Sequence, residues 1–273
     1  MIALTGLSIT PDRYLLVLLV PALVLGRGRR YLLDFVPFMA LIVIYAQFRG
    51  IAHLLRPHPF YLPQLQLERF FFGNEIPTAQ LQWWLWKGSP SWYDTASYKI
   101  LQVHFIVPPL LAFALWMRRR ALFYRFGATM IVLSFAGALT FFLFPTAPPW
   151  AAANKGLLPM ITKLPVPQPD MPHHHGLNSY TLSRLVHPNP YAAIPSLHAG
   201  YAFLAFLFVA VICWRTRWRW WAIVIGAIYP LVESFAVVYT ANHYVVDLAI
   251  GFVYAAAALW GVQRFWRWRG WPD

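Results

Sequence analysis

Long apolar runs separated by short groups of arginine constrain the fold of this chain more than any other sequence feature. A helix of about 20 apolar residues crosses a bilayer, and most of the runs approach or exceed that length. The runs are Leu15–Gly26, Leu32–Leu55, Leu101–Trp116, Leu122–Phe144, Ile194–Trp214, Trp221–Tyr239 and Tyr244–Gln263. Charged residues make up only 11% of the chain, against roughly a quarter in soluble domains. The sequence therefore predicts an all-α polytopic membrane helical bundle, with six core transmembrane helices and a short N-terminal hydrophobic segment.

The arginine groups predict how the bundle is oriented. They are Arg27, Arg29 and Arg30; Arg118, Arg119 and Arg120; Arg215, Arg217 and Arg219; and Arg264, Arg267 and Arg269. Because basic residues concentrate in cytoplasmic loops, each group indicates a cytoplasmic turn. The net charge of +13 follows from these groups and comes with no groove-reading motif, so we expect no nucleic-acid partner.

We expect three parts in the chain. Residues 1–31 form an N-terminal hydrophobic anchor, residues 32–263 a transmembrane domain and residues 264–273 a basic cytoplasmic tail. The first apolar run ends at Gly26-Arg-Gly-Arg-Arg30 without a small-residue cleavage site, which indicates a retained anchor and not a signal peptide. Its length leaves open whether it crosses the bilayer completely. The mixed, proline-containing residues 56–97 are typical of helices that lie on the bilayer surface.

His243 and Asp247 lie at the head of the last apolar run. In an α-helix, a spacing of four residues places both side chains on one face. Asp247 then accepts a hydrogen bond from one ring nitrogen of His243 and leaves the other nitrogen with a free lone pair. Ionisable groups in a membrane segment are functional hypotheses by default, but a single pair of this kind also fits a purely structural role.

A second histidine lies at a second helix start, in Ala193-Ile-Pro-Ser-Leu-His-Ala-Gly200. Pro195 suits the start of a helix, and Ser196 is a natural N-cap whose hydroxyl or amide can also face an anion. The free N–H groups of a first helical turn bind phosphate, and His198 would project into the same place. Alone, this motif is also that of an ordinary N-cap with an interfacial histidine.

The two motifs converge on one side of the membrane. With every arginine group in the cytoplasm, Ser196, His198 and His243 all lie at the exoplasmic face, together with the proline-rich loop Pro145–Ile194. Two histidines at a phosphate site indicate a division of labour, in which one attacks phosphorus and the other protonates the departing oxygen.

Pro195-Ser-Leu-His198 followed by His243-x-x-x-Asp247 resembles the second and third signatures of the type-2 phosphatidic acid phosphatase superfamily, a group of membrane lipid phosphatases and phosphotransferases. More narrowly, the chain is similar to the inositol phosphorylceramide synthase branch, from about Asp34 to Gly261. The stretches that carry this similarity are Phe144-Pro-Thr-Ala-Pro-Pro-Trp150, Ile194-Pro-Ser-Leu-His-Ala-Gly200, Tyr239-x-x-x-His-Tyr-x-Val-Asp247, and Val103-His-Phe105 ahead of Pro108.

The resemblance implies a role for each matching residue. His243 would be the nucleophile that forms a phosphohistidine, with Asp247 as the partner that orients it. His198 would be the general acid toward the leaving alcohol, and Ser196 would bind the phosphoryl oxygens. The resemblance implies neither a metal nor a cofactor, in agreement with the lack of a carboxylate cluster in the sequence.

The chain departs from the superfamily at its first signature, Lys-x6-Arg-Pro, whose place in the chain is occupied by Phe144-Pro-Thr-Ala-Pro-Pro-Trp150. The Ser-Arg that opens the third signature is replaced by Ala236 and Val237. The inositol phosphorylceramide synthase branch lacks the same elements. A phosphate still requires nearby positive donors, and the exoplasmic candidates are Arg184, favoured here, then His187, Lys155, Lys163 and, from within the bilayer, His104.

Several other ionisable residues are expected to lie outside the site. The tract His173-His-His175 is better explained as a solvated loop than as a metal site, because three consecutive residues do not converge on one ion. Asp34, Arg49 and Arg125 are expected to pair with one another or to extend to the interface. The sequence assigns no role to Glu233.

These inferences favour a phosphotransferase of the plasma membrane, with its active site on the exoplasmic side. A phosphatidylinositol-type lipid would donate its phospho-headgroup through a phosphohistidine, and a lipid or glycan hydroxyl would accept it. The alternative within the same chemistry is a lipid phosphate phosphatase, in which water is the acceptor. A transporter would show repeated halves with broken helices, which the sequence lacks. The sequence does not determine the oligomeric state.

Overall fold

The computed structural model describes residues 11–55, 58–159, 161–164 and 189–271. Within these residues the chain is helical, and the extended segments are joined only by single bridges from Thr146 to Phe60 and to Ala192. In chain order the helices are α1 (Pro11–Val24), α2 (Gly28–Leu55), α3 (Leu62–Phe72), α4 (Pro77–Leu85), α5 (Trp92–Leu101), a 3-10 turn (Val103–Phe105), α6 (Val107–Arg118), α7 (Arg120–Leu143), α8 (Pro149–Asn154), α9 (Leu197–Cys213), α10 (Arg219–Tyr239) and α11 (Val245–Trp268).

The predicted all-α membrane bundle is confirmed. Five stretches of the described chain are long and apolar enough to cross a membrane, namely Gly28–Ala52, Trp92–Arg118, Arg120–Leu143, Arg219–Tyr239 and Val245–Trp268. Helix α9 is a shorter apolar helix and supplies the sixth core element, and the short N-terminal segment corresponds to α1. Helix α9 lies at the centre, where it packs against α6, α7, α10 and α11.

One predicted span has different limits in the structure. The run expected at Leu101–Trp116 already begins at Trp92 and is interrupted by the 3-10 turn. Pro108 and Pro109 follow the interruption at the first turn of α6. Because proline lacks an N–H donor, it is accommodated at the first turn of a helix but not in its interior. The break places a histidine of the turn, His104, between two helical pieces.

Helices α9 and α11 are in direct contact at two glycines. A β-carbon at Gly251 would lie 2.3 Å from the carbonyl oxygen of Ser196, and one at Gly200 would lie 3.3 Å from the carbonyl oxygen of Gly251. A side chain at Gly251 would therefore push the two backbones apart. This close approach brings the beginnings of both helices together, and the Ser196 N–H donates to the carbonyl of Asp247 at 3.0 Å.

A polar cluster fixes the opposite end of the bundle. The carboxylate of Asp34 on α2 accepts from the Trp116 indole at 2.7 Å and from Arg120 Nε at 2.9 Å, and Tyr124 donates to it as well. The expectation that Asp34 pairs with Arg49 or Arg125 is wrong, because the first turn of α7 brings Arg120 beside it. The cluster joins α2, α6 and α7 and determines the direction in which α2 runs toward the histidines.

Candidate active site

The turn that follows α10 positions His243. The N–H of Ala241 donates to Val238 at 3.0 Å and the N–H of Asn242 donates to Val237 at 3.0 Å, which is the pattern of a Schellman C-cap. Ala241 has a φ of 64°, a left-handed conformation that normally favours glycine. The N–H of His243 donates to the same Val237 carbonyl at 3.2 Å, so backbone hydrogen bonds hold the histidine just after the turn.

His243 therefore precedes α11 and is not part of it, since the N-cap of that helix is Tyr244. The expected stacking of His243 and Asp247 on one helical face is not observed. Instead, His243 Nδ1 lies 3.0 Å from the carbonyl oxygen of Ala193 and 3.6 Å from Asp247 Oδ2. Because a carbonyl only accepts, we assign the proton to Nδ1, which leaves a lone pair on Nε2.

Asp247 is fully buried and serves the beginning of its own helix. Its Oδ2 atom accepts the Tyr244 N–H at 2.8 Å, and its Oδ1 atom has no hydrogen-bond partner. At 3.6 Å from His243 Nδ1, the carboxylate acts on the ring mainly through its charge. It is placed to stabilise positive charge that the imidazole acquires during a reaction.

His198 lies against the free nitrogen of His243. The distance from His198 Nδ1 to His243 Nε2 is 3.2 Å, and His198 is the donor because His243 Nε2 carries the lone pair. The first turn of α9 places His198 there, with Ser196 as the N-cap whose Oγ accepts the Ala199 N–H at 3.4 Å. The Ser196 amide already donates to the Asp247 carbonyl, so only the hydroxyl hydrogen of Ser196 remains for a phosphoryl oxygen.

His104 extends the site from the 3-10 turn. Its ring centroid lies 4.2 Å from that of His198, at an angle of 67°. His104 Nδ1 bonds to the Leu101 carbonyl and lies 3.9 Å from Oε1 of Glu233. Glu233 is fully buried, and neither of its carboxylate oxygens has a hydrogen-bond partner. The structure thus adds a carboxylate to the site that sequence reasoning left unassigned.

The stretch Phe144–Trp150 has a structural task in this site. Thr146 Oγ1 accepts the Ile194 N–H at 2.9 Å, and the Thr146 carbonyl accepts the Ala193 N–H at 3.4 Å. These contacts hold the segment before α9 in an extended form and direct the Ala193 carbonyl toward His243. The uncharged stretch Phe144–Trp150 therefore supports the position of His243 through the backbone.

The N-terminus of α11 is closed by a carboxylate from α3. Glu68 accepts the N–H of Val245 at 3.1 Å and of Val246 at 3.0 Å. Burial raises the pKa of Glu68 to about 7, with a smaller contribution from the charge of Asp247, although the two backbone donors oppose the shift. Glu68 thus caps the helix that carries Asp247.

The predicted cations are mostly not at the histidines. Lys155 is exposed at the end of α8, and Lys163 lies 4.3 Å from the ring centroid of Trp150; neither forms a hydrogen bond or ion pair with the three histidines of the site. Arg184 and His187, as well as the tract His173–His175, lie outside the described residues.

A different cation reaches the site from α2. The charge of Arg49 acts electrostatically on the rings of both His104 and His198. Sequence reasoning placed Arg49 only near the end of a span, and the signal that could have directed attention to it is its position inside an apolar run with few other charges.

Comparison with known proteins shows the family of the chain. Among curated proteins, the phosphoinositol dihydroceramide synthase of Bacteroides thetaiotaomicron is 25% identical over 149 residues, which cover 53% of this chain and 47% of that protein. The matched region thus spans about half the length of that relative. No solved structure matches the chain. A family model described as the PAP2 superfamily matches residues 68–261. That range is more than half of the chain and includes all three histidines of the site, and the chain belongs to the PAP2 superfamily.

Proposed function

We propose that this protein is an integral-membrane phosphotransferase that moves a phospho-headgroup from a phospholipid to a hydroxyl acceptor through a phosphohistidine on His243. The observation that carries the proposal is the 3.2 Å contact from His198 Nδ1 to the unprotonated Nε2 of His243. A nucleophile and a proton donor in contact are the two groups needed to replace one ester oxygen on phosphorus by another. The relative, a phosphoinositol dihydroceramide synthase by name, supports inositol phosphate as the headgroup.

In the first half-reaction, the lone pair of His243 Nε2 attacks phosphorus, and the bond from phosphorus to the diacylglycerol oxygen breaks. His198 acts here as the doubly protonated imidazolium: it gives its Nδ1 proton to that oxygen and becomes a neutral imidazole, so diacylglycerol leaves as a neutral alcohol. The N–P bond places positive charge on the His243 ring, which the nearby carboxylate of Asp247 stabilises. Substrate binding must first separate the two histidines, because the proton needed by the leaving oxygen is directed at His243 Nε2.

The second half-reaction reverses these roles. His198 now takes the proton from the hydroxyl of the acceptor, whose oxygen attacks phosphorus while the N–P bond breaks. The lone pair returns to His243 Nε2 and the proton to His198, so the enzyme is regenerated and the headgroup has moved. A hydroxyl on a second lipid or on a glycan fits the acceptor position, and water in its place gives the phosphatase alternative.

The location proposed for this chemistry is the exoplasmic side of the plasma membrane. The histidines lie where α9 and α11 begin, whereas Arg118 and Arg120 lie at the far end of α6 and α7, a helix length of about 36 Å for 24 residues. If the arginine end faces the cytoplasm, the site opens to the outer leaflet. Within this proposal, residues 32–263 form the catalytic domain, residues 1–31 the anchor and residues 264–273 the cytoplasmic tail.

The experiment uses purified full-length protein in nanodiscs that contain phosphatidylinositol, with and without diacylglycerol or ceramide. Lipid mass spectrometry reports new headgroup-bearing lipids, and a separate assay reports released phosphate and inositol phosphate. His243→Ala should abolish the product, whereas His58→Ala, a change at an exposed histidine, should leave it unchanged. Hydrolysis products alone would establish the phosphatase instead. Transfer that survives in His243→Ala would overturn the assignment of the nucleophile.

A further inference from the structure

The site described above holds histidines and carboxylates but no positively charged side chain in hydrogen-bond contact with them. A phosphodiester brings a negative charge, and burying it without a positive partner is costly. The superfamily's Lys-x6-Arg-Pro signature is missing, and the stretch Phe144–Trp150 in its place has no charged residue. The lysines of the described chain that come nearest in sequence, Lys155 and Lys163, do not contact the histidines. Within the part of the chain that the structure describes, a cation for the phosphate is therefore to be found on another element.

Helix α2 packs against α7, and a tyrosine of α2 interacts with α9 one turn away from the histidine. The Tyr201 hydroxyl of α9 interacts with Tyr45 of α2 and forms a 2.7 Å hydrogen bond with Ser134 of α7. His198 precedes Tyr201 by one turn, and Arg49 follows Tyr45 by one turn on the same face of its helix. Helix α2 runs toward the histidine end of the bundle, and α9 runs away from it. From Tyr45 to Arg49 the rise along α2 is roughly 6 Å, and from Tyr201 back to His198 the rise along α9 is roughly 4.5 Å. Arg49 and His198 therefore lie at about the same depth in the bundle.

Backbone contacts fix this part of α2 to the site. The amide of Asn189 donates to the Arg49 carbonyl at 3.0 Å, and the Asn189 Oδ1 atom accepts the Tyr191 N–H at 2.9 Å. The Tyr191 carbonyl in turn accepts from Thr146 at 3.1 Å, the residue that holds the segment leading to His243. The end of α2 and the nucleophile thus share one hydrogen-bonded support.

The Arg49 side chain has a donor that is available to bind an anion. Its Nε atom is buried without a hydrogen-bond partner, and among the described residues the ion pairs join other groups and leave its guanidinium without a carboxylate. Its charge acts on His104, His198 and the Tyr201 hydroxyl. Arg49 is half-buried, and its buried Nε–H is a donor without a partner to which a ligand anion can bind.

We propose that Arg49 binds the phosphoryl oxygens of the lipid substrate and so replaces the cations of the missing Lys-x6-Arg-Pro signature. The inference rests on the proposed function, because the ligand is the phosphodiester of the same site. The planar guanidinium donates two parallel hydrogen bonds to two oxygens on one phosphorus. From the level of His198 it holds the phosphate charge while His243 attacks. The role predicted for Arg184, which lies outside the described residues, is separate from this proposal and stays a prediction.

The test compares Arg49→Gln and Arg49→Lys with Arg118→Gln, which changes an exposed arginine at the far end of α6. Full-length proteins in nanodiscs are titrated with orthovanadate, a phosphate mimic, and the shift of the unfolding temperature reports binding without any turnover. We expect Arg49→Gln to weaken vanadate binding by about tenfold to a hundredfold, as for loss of a charge-assisted hydrogen bond. Arg49→Lys should lie between, because an ammonium cannot donate in the bidentate geometry.

Vanadate affinity unchanged in Arg49→Gln, or equally reduced in Arg118→Gln, overturns the proposal. If Arg49→Gln does not fold, Arg49→Lys is judged by the same criterion. The transfer assay with phosphatidylinositol separates the two hypotheses. If vanadate binding depends on Arg49 but the wild type makes no headgroup-bearing product, Arg49 binds phosphate and the proposed transferase activity is refuted. Normal transfer by Arg49→Gln would keep the transferase and refute the role of Arg49.

Discussion

His198 donates its Nδ1 hydrogen to Nε2 of His243 across 3.2 Å, so the proposed acid and the proposed nucleophile are hydrogen-bonded to each other. The other nitrogen of His243 is held by the Ala193 carbonyl at 3.0 Å, which keeps the lone pair of Nε2 directed at His198. A phosphate that enters must break this hydrogen bond. The ester oxygen of the donor then accepts the His198 proton that had been shared with His243 Nε2, so one contact places both the attacking lone pair and the proton for the leaving group.

Replacing His198 with asparagine should slow the transfer from phosphatidylinositol by about 10²–10⁴-fold, because diacylglycerol leaves poorly as an unprotonated alkoxide. A donor whose leaving group is p-nitrophenol needs no such proton and should be affected far less. Turnover of both donors by the wild type and by His198→Asn checks this, with His58→Ala as the control. Equal losses for the two donors would show that His198 is not the acid.

The contact of α9 with α11 predicts that alanine substitutions at Gly251 and at Gly261 have opposite consequences. Gly251→Ala places a β-carbon 2.3 Å from the Ser196 carbonyl, so the start of α9 must move and the His198–His243 distance must change. A shift of about 1 Å can cost about a hundredfold in rate. In the same helix, Gly261→Ala meets no atom within 4 Å and should stabilise the protein by roughly 0.5–1 kcal/mol through helix propensity.

Measured transfer rates and unfolding temperatures of the two glycine variants check this prediction. Equal activities of Gly251→Ala and Gly261→Ala would mean that the close approach of the two backbones does not set the geometry of the site.

The sequence was sufficient to predict those features of the fold that depend on local residue patterns. Apolar runs and arginine groups predicted the membrane bundle, and Pro195 with Ser196 predicted the start of α9. The position of His243 was missed because α10 ends in a Schellman turn at an alanine, Ala241, where a glycine would have indicated the turn. A spacing of four residues consequently looked like one helical face.

The remaining members of the site depend on tertiary packing. Arg49 lies near the histidines only because α2 packs on α7. Glu233 lies near His104 only because α10 passes beside the 3-10 turn. Neither neighbourhood has a signature in the sequence. Thr146 was part of a recognised stretch, but its hydrogen bond to Ile194 belongs to the folded chain. The roles of Arg184 and His187 stay predictions.

We expect Glu233 to lower the stability of the folded protein while it supports the transfer activity. A fully buried carboxylate whose oxygens lack partners destabilises a fold, so replacement by methionine, of similar volume, should raise the unfolding temperature. If the carboxylate 3.9 Å from His104 Nδ1 orients that ring against His198, the same variant should lose activity and the conservative Glu233→Asp should recover part of it. Thermal unfolding and transfer rates measured together check the prediction. A variant both more stable and fully active would show that Glu233 is dispensable to the site.

Glu68 should make the stability of the protein depend on pH. Its pKa is raised to about 7 in the folded protein from 4.5, so between these values the folded state keeps a proton that the unfolded state releases. The stabilising contribution is complete below pH 4.5 and is lost as the pH rises through about 7. We expect the unfolding temperature of the wild type in detergent to fall between pH 5 and pH 8, and that of Glu68→Gln, which has no charge at this position, to fall less.

The matched change Glu75→Gln, at an exposed residue, should follow the wild-type curve. Since the other ionisable groups are common to all three proteins, parallel curves for wild type and Glu68→Gln would mean that Glu68 caps α11 as a carboxylate throughout this range.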